Sequence, residues 1–90
     1  MWYSLDMSTL ESRASFGDWV YDQISPLNIS VQDLSDYSGT HIRTLYRILN
    51  GETVLRFADW LWLVECVADM TGSDLTDTVN SAAMHMMQNR

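Results

Sequence analysis

Val31-Gln32-Asp33-Leu34-Ser35-Asp36-Tyr37-Ser38-Gly39-Thr40-His41-Ile42-Arg43-Thr44-Leu45-Tyr46-Arg47-Ile48-Leu49-Asn50-Gly51 is the stretch on which the fold turns. Its apolar residues recur at helical spacing, and Gly39 divides them into two short runs. Leu34 and Tyr37 are expected to face inward on the first helix, Leu45 and Ile48 on the second. A glycine between two short helices takes a positive φ at little cost, so the second helix leaves at a steep angle instead of prolonging the first. Thr40 is placed to cap that second helix. The spacing therefore predicts a helix-turn-helix with its core at about residues 30–51.

The flanking sequence supplies the remaining helices. Residues 1–7 form an amino-terminal arm in which Trp2 and Leu5 are expected to pack back on the body. Ser8-Thr9-Leu10-Glu11 has the spacing of a capping box, and a helix should run from there to about Ser25. Phe16, Val20 and Ile24, four residues apart, form its inward stripe, with Asp18 and Asp22 in water. Pro26 ends regular helix, and Leu27-Asn28-Ile29 crosses to a cap at Ser30.

Beyond Gly51, an irregular loop through Leu55 leads into an apolar helix from Arg56 to Met70. Phe57, Trp60, Leu61, Val64, Val67 and Ala68 make its wide apolar face, and Trp62 lies on the opposite side with Asp59, Cys66 and Asp69. Trp62 is thus expected either to meet a partner subunit or to be covered by the Trp2-Tyr3 arm. Gly72 should end this helix, with Ser73 capping the next and Asp74 and Asp77 in its first turn. Leu75, Val79, Ala82 and Met86, with Ala83 and Met87 alongside, give a last helix over about 74–88. Its small and methionine side chains suit a dimer seam or packing within the chain, and the candidates for a subunit contact are Trp62, Val79, Ala83, Met86 and Met87. The expected fold class is all-α, a small bundle of about five helices.

Ninety residues, 47% of them apolar and with a single proline, are expected to form one folded domain with a modest core. No basic segment precedes an apolar run and no apolar run is long enough to cross a bilayer, so a cytoplasmic protein is expected. The single Cys66 has no partner for a disulfide and sits among apolar residues, as a buried side chain would. The net charge of −7 is unevenly spread. Residues 30–56 balance Asp33, Asp36 and Glu52 against Arg43, Arg47 and Arg56, whereas the rest of the chain sets nine acids against Arg13 and Arg90. Such segregation favours a surface for nucleic acid on an otherwise acidic body, unless the helix arginines simply pair with neighbouring acids.

Leu34, Ser35, Ser38-Gly39, Leu45, Arg47-Ile48, Asn50-Gly51 and Arg56-Phe57, in this order and spacing, resemble the Cro/repressor-type (lambda-repressor-like) helix-turn-helix domains of phage and bacterial regulators. The likeness runs from about Ser30 to Val67. It implies a second helix, His41 to Asn50, lying in the DNA major groove. His41, Ile42, Arg43, Tyr46 and Arg47 would then face the bases, and Gln32, Thr40, Thr44, Asn50 and Arg56 would stand at or near phosphates. Arg43 and Arg47 are four apart and share a face, where each can pair with a guanine edge, and Ile42 can touch a thymine methyl. The chain departs from the pattern at Val31, where the family often has glutamine; Gln32 is displaced by one.

The implied function is a regulator of transcription of phage, prophage or plasmid type, a homodimer on a palindromic operator, with double-stranded DNA as its partner. A competing reading keeps the fold but binds a protein: an acidic antirepressor, antitoxin or inhibitor facing a basic groove. No Gly-rich phosphate loop, HExxH, CxxC or nucleophile elbow is present, so neither an enzyme nor a cofactor is expected. Met84-His85-Met86-Met87 offers one histidine only, and no metal is expected there.

Overall fold

The computed structural model describes residues 10–53 and 55–88, with side-chain burial for 16–53 and 55–87. Among them are five α-helices and no strand: α1 (Leu10–Ile24), α2 (Val31–Ser38), α3 (Ile42–Leu49), α4 (Phe57–Thr71) and α5 (Leu75–Gln88), with a 3₁₀ turn at Ser25–Leu27. The molecule is a small all-α bundle. The packing expected of Trp2, Tyr3 and Leu5 and the capping box at Ser8 lie outside the described residues.

The helix ends follow local rules. Ser30 caps α2 through a full capping box: its hydroxyl accepts from the Asp33 amide, and the Asp33 carboxylate accepts from the Ser30 amide. The bond from the Ser30 amide, and after it the Ser30 hydroxyl, favour the carboxylate, so Asp33 titrates below the usual range. At the carboxyl ends of α3 and α4, Gly51 and Gly72 adopt φ of +75° and +72°. There Glu52 N–H reaches back to the Arg47 carbonyl, and Ser73 N–H to the Ala68 carbonyl, closing Schellman motifs. Asn28, at φ +58°, does the same after the 3₁₀ turn.

Two caps differ from expectation. Asp74, not Ser73, caps α5, its carboxylate accepting from the Asp77 amide; the Ser73 hydroxyl is bonded to that of Thr71. His41, not Thr40, caps α3.

One core joins the helices. Phe16, Val20 and Ile24 of α1 are buried as their spacing predicts, and Asp18 and Asp22 are exposed. Trp19 is buried beside them, its indole N–H donating to Ser81 Oγ on α5 at 3.1 Å. Gly17 marks the closest approach of α1 to α3: a Cβ built there would lie 1.8 Å from the Leu49 carbonyl oxygen. Only a residue with no side chain permits that contact.

α4 is covered on more than one side, by α2 as well as by α1 and α5. Trp60, Val64, Val67 and Ala68 are buried as expected, and so is Cys66, as its apolar surroundings in the sequence suggested; Leu63, outside the expected apolar face, is buried as well. Phe57 is instead 59% exposed; as the first residue of α4 it overhangs the core, its ring 5.6 Å from that of Trp60. On α5, Ala82 and Met86 are buried, Val79 and Ala83 partly so, and Leu75 and Met87 exposed. Leu75, like Phe57, begins its helix and misses the inward stripe. No described helix is long and apolar enough to cross a membrane.

Candidate nucleic-acid interface

The turn between α2 and α3 is fastened by small polar side chains. Ser35 and Ser38 are both buried. Ser35 Oγ donates to the Thr40 carbonyl, and the Thr40 amide donates to Ser38 Oγ at 3.2 Å. Gly39 makes the corner at φ +76°, its amide bonded to the Ser35 carbonyl. These bonds occupy both backbone groups of Thr40, and the next residue takes the capping role: His41 is extended (φ −56°, ψ 138°), and its Nδ1 accepts from the Arg43 amide at 3.1 Å. Serine at 35 and 38 supplies a hydroxyl where a larger side chain would force α2 and α3 apart.

α4 braces the same turn from outside. Trp62 Nε1 donates to the Ser38 carbonyl at 3.0 Å, and Tyr37 Oη donates to Asp69 Oδ2 at 3.1 Å. Tyr37 therefore does not face inward as its spacing suggested; it is 51% exposed and ties α2 to α4 through its hydroxyl. That bond holds the phenol in its neutral form and raises its pKa above the ordinary tyrosine value. Cys66 is buried, and burial, with Asp69 and Glu65 as lesser causes, pushes its thiol up to about 11.

α3 is sharply two-faced. Leu45, Ile48 and Leu49 point into the core, and Ile42 is half-buried against it. His41, Arg43, Thr44, Tyr46 and Arg47 are exposed. Of the residues assigned to the bases, four are thus exposed, His41 with its Nδ1 engaged in the cap, whereas Ile42 offers only part of its side chain. Among the described residues neither the Arg43 nor the Arg47 guanidinium makes an ion pair or a hydrogen bond, and the same holds for Arg56, exposed at the start of α4.

The other candidates are more engaged. Gln32 Nε2 donates to Asp36 Oδ1 at 2.9 Å, and Asn50 Nδ2 donates to Glu52 Oε2 at 3.3 Å. Thr40 is half-buried at the turn, and Val31 is buried at the start of α2. Of the subunit-contact candidates, Met87 and Trp62 are exposed, Val79 and Ala83 partly so, and Met86, at 1%, belongs to the core and is no surface group. No group of three or more His, Cys, Asp or Glu among the described residues is placed to hold a metal ion.

The assembled surface is a short helix that presents two guanidiniums without a partner among the described residues, a phenol and an imidazole, with a third arginine one loop away. Two acids border it: Glu52 just after α3, and Asp59, which shares a cavity with Thr44. Such a surface suits hydrogen-bonded recognition of an anionic polymer and contains no nucleophile and base in contact. Sequence spacing identified the exposed residues of α3; it missed His41 as the cap and Trp62 as a brace. Histidine is a weak capping residue, and the Trp62–Ser38 bond joins residues 24 apart, so neither leaves a local signal. No family model, curated protein or solved structure matches this chain.

Proposed function

We propose that this chain is a sequence-specific DNA-binding regulator of transcription, of the Cro/repressor type it resembles, with α3 as the element that enters the major groove. The observation that carries this reading is that, among the described residues, neither Arg43 nor Arg47 on the exposed face of α3 has an ion-pair or hydrogen-bond partner. The molecule carries a net charge of −7, and surface arginines on such a body readily find carboxylates. Among the described residues they do not, and their planar guanidiniums stay available for a guanine edge. Arg56 adds a cation for the phosphate backbone, where Thr40 and Thr44 supply hydroxyls.

The phosphate grip is thin. Val31 is buried where the family often has glutamine, and Gln32 is bonded to Asp36. A pair of chains with two α3 helices about 34 Å apart on a palindromic operator makes up the deficit. The exposed Met87 and the partly buried Val79 and Ala83 of α5 are the residues offered for that contact.

The alternative of a protein partner draws on Glu52 and Asp59 beside the same face and on the exposed Trp62 and Tyr37. Selection from random-sequence DNA at two salt concentrations separates the readings. A two-fold-symmetric site, with log affinity falling by about 0.9 per neutralised phosphate for each decade of salt, supports the regulator. Failure of the folded chain to bind any DNA at low salt rejects it in favour of the protein partner.

A further inference from the structure

Beside α3 lies a cavity of about 230 Å³ lined by Thr40, Thr44, Ile48, Asp59, Trp62 and Leu63. Ile48 and Leu63 are buried and form its apolar floor. Trp62 is a wall held by its edge: the N–H is spent on the Ser38 carbonyl, and 47% exposure leaves ring surface open. Asp59 precedes Trp62 by three residues, so the two share a face of α4. The Asp59 carboxylate has no ion-pair or hydrogen-bond partner among the described residues, and the Thr40 and Thr44 hydroxyls are likewise unengaged.

An indole face, a carboxylate and two hydroxyl acceptors around one space select a ligand that is positively charged and rich in N–H donors. Asp59 repels an anion. A purely apolar guest would bury the carboxylate and hydroxyls without partners. The volume is below the roughly 300–1,000 Å³ of sites for drug-sized molecules and cofactors, and so suits a short chain. We propose that this cavity binds a small aliphatic cation, an alkylammonium or alkylguanidinium, stacked on Trp62 and paired with Asp59.

Binding there has a consequence for DNA, and this consequence rests on the regulator reading. Thr40 and Thr44, the residues offered to phosphates, share the cavity with Asp59, which opposes a phosphate at that edge. A bound amine neutralises Asp59 and removes the repulsion. The ligand then acts as a co-repressor or co-activator by local electrostatics, with no movement of the helices.

Agmatine, which carries both cationic groups on a four-carbon chain, is the probe, and uncharged 1,4-butanediol the control. The full chain is titrated while the four indole N–H resonances are followed by NMR, with Trp62 assigned from W62F. Saturable one-to-one binding that moves the Trp62 resonance, weakens about tenfold in D59N and is absent with butanediol supports the site. Overturning results are no saturation at millimolar agmatine, equal affinity in D59N, or movement of Trp19 alone, which stands beside Asp22 and Asp77 in the α1–α5 groove. A parallel measurement uses a DNA fragment selected as above. There agmatine should raise the affinity of the native chain about fivefold and leave D59N unaffected, the effect of one unit charge near a phosphate in water. DNA bound but indifferent to agmatine overturns the coupling. DNA never bound overturns the regulator reading, and the agmatine titration then decides the cavity by itself.

Discussion

α3 is held at its two ends by opposite means. Its carboxyl end is pressed against α1, where Gly17 lets the helix backbone approach the Leu49 carbonyl and Leu45, Ile48 and Leu49 enter the shared core. Its amino end is tethered by hydrogen bonds: Ser35 to Thr40, Thr40 to Ser38, Trp62 to Ser38, and the His41 cap. Apolar contact is strong but has no direction, so it decides where the helix sits. Hydrogen bonds contribute only about 1 kcal/mol each, yet their geometry is narrow, so they decide how the Arg43–Arg47 face is presented.

The largest effect should come from the packed end. Gly17→Ala gains up to about 1 kcal/mol in helix propensity but drives a methyl group into a backbone carbonyl that cannot turn aside, so the net loss should be about 3 kcal/mol in urea unfolding. An unchanged midpoint would mean that α1 and α3 do not approach as closely as described. The exposed face should respond in binding alone. Arg43→Ala or Arg47→Ala should weaken a selected DNA site by about 1–3 kcal/mol, relax preference at one base pair and leave the unfolding midpoint in place. Loss of stability in either variant would show that these side chains help hold α3.

Smaller effects are expected at the tethered end. Gly39→Ala meets no neighbouring atom within 4 Å, so its cost is backbone strain at φ +76°, about 1–2 kcal/mol, with Gly39→Asn milder. A cost as large as that of Gly17→Ala would erase the contrast between the two ends. Ser30→Ala should cost about 1 kcal/mol. Its sharper signature is in pH. Because Asp33 titrates below the ordinary aspartate value in the folded chain, its cap is fully stabilising above that value and is lost as pH falls through the folded pKa. The Ser30→Ala chain keeps the larger cause, the amide of residue 30, and loses only the hydroxyl, so the carboxyl titration followed by NMR should move part of the way back up; no movement at all would remove the hydroxyl as a cause.

Much of this was legible along the chain, because helices are written in local spacing. Phe16, Val20 and Ile24 on α1, Leu45 and Ile48 on α3, and the turn at Gly39 all follow from periodicity and the preference of glycine for positive φ. The exposed arginines were legible for the same reason, since what does not fit the inward stripe of a short helix faces water.

What the spacing misplaced is what a second helix decides. Tyr37 has the period of a core residue but bonds to Asp69 on α4, and Leu63 lies outside the expected apolar face of α4 yet is buried. Phe57 and Leu75 fit an apolar stripe yet begin their helices beyond the reach of the core. Thr40 is the better cap by composition, but Ser35 and Ser38 had already claimed its backbone.

By itself the sequence determined the helices, several of their ends and the segregation of charge, all set by neighbours a few residues apart. Only the tertiary structure decided that Arg43 and Arg47 find no partner among the described residues, that Gly17 must be glycine, and that Thr40, Asp59 and Trp62 enclose a common space. Each depends on distances between helices far apart in the chain, and no local pattern encodes those distances.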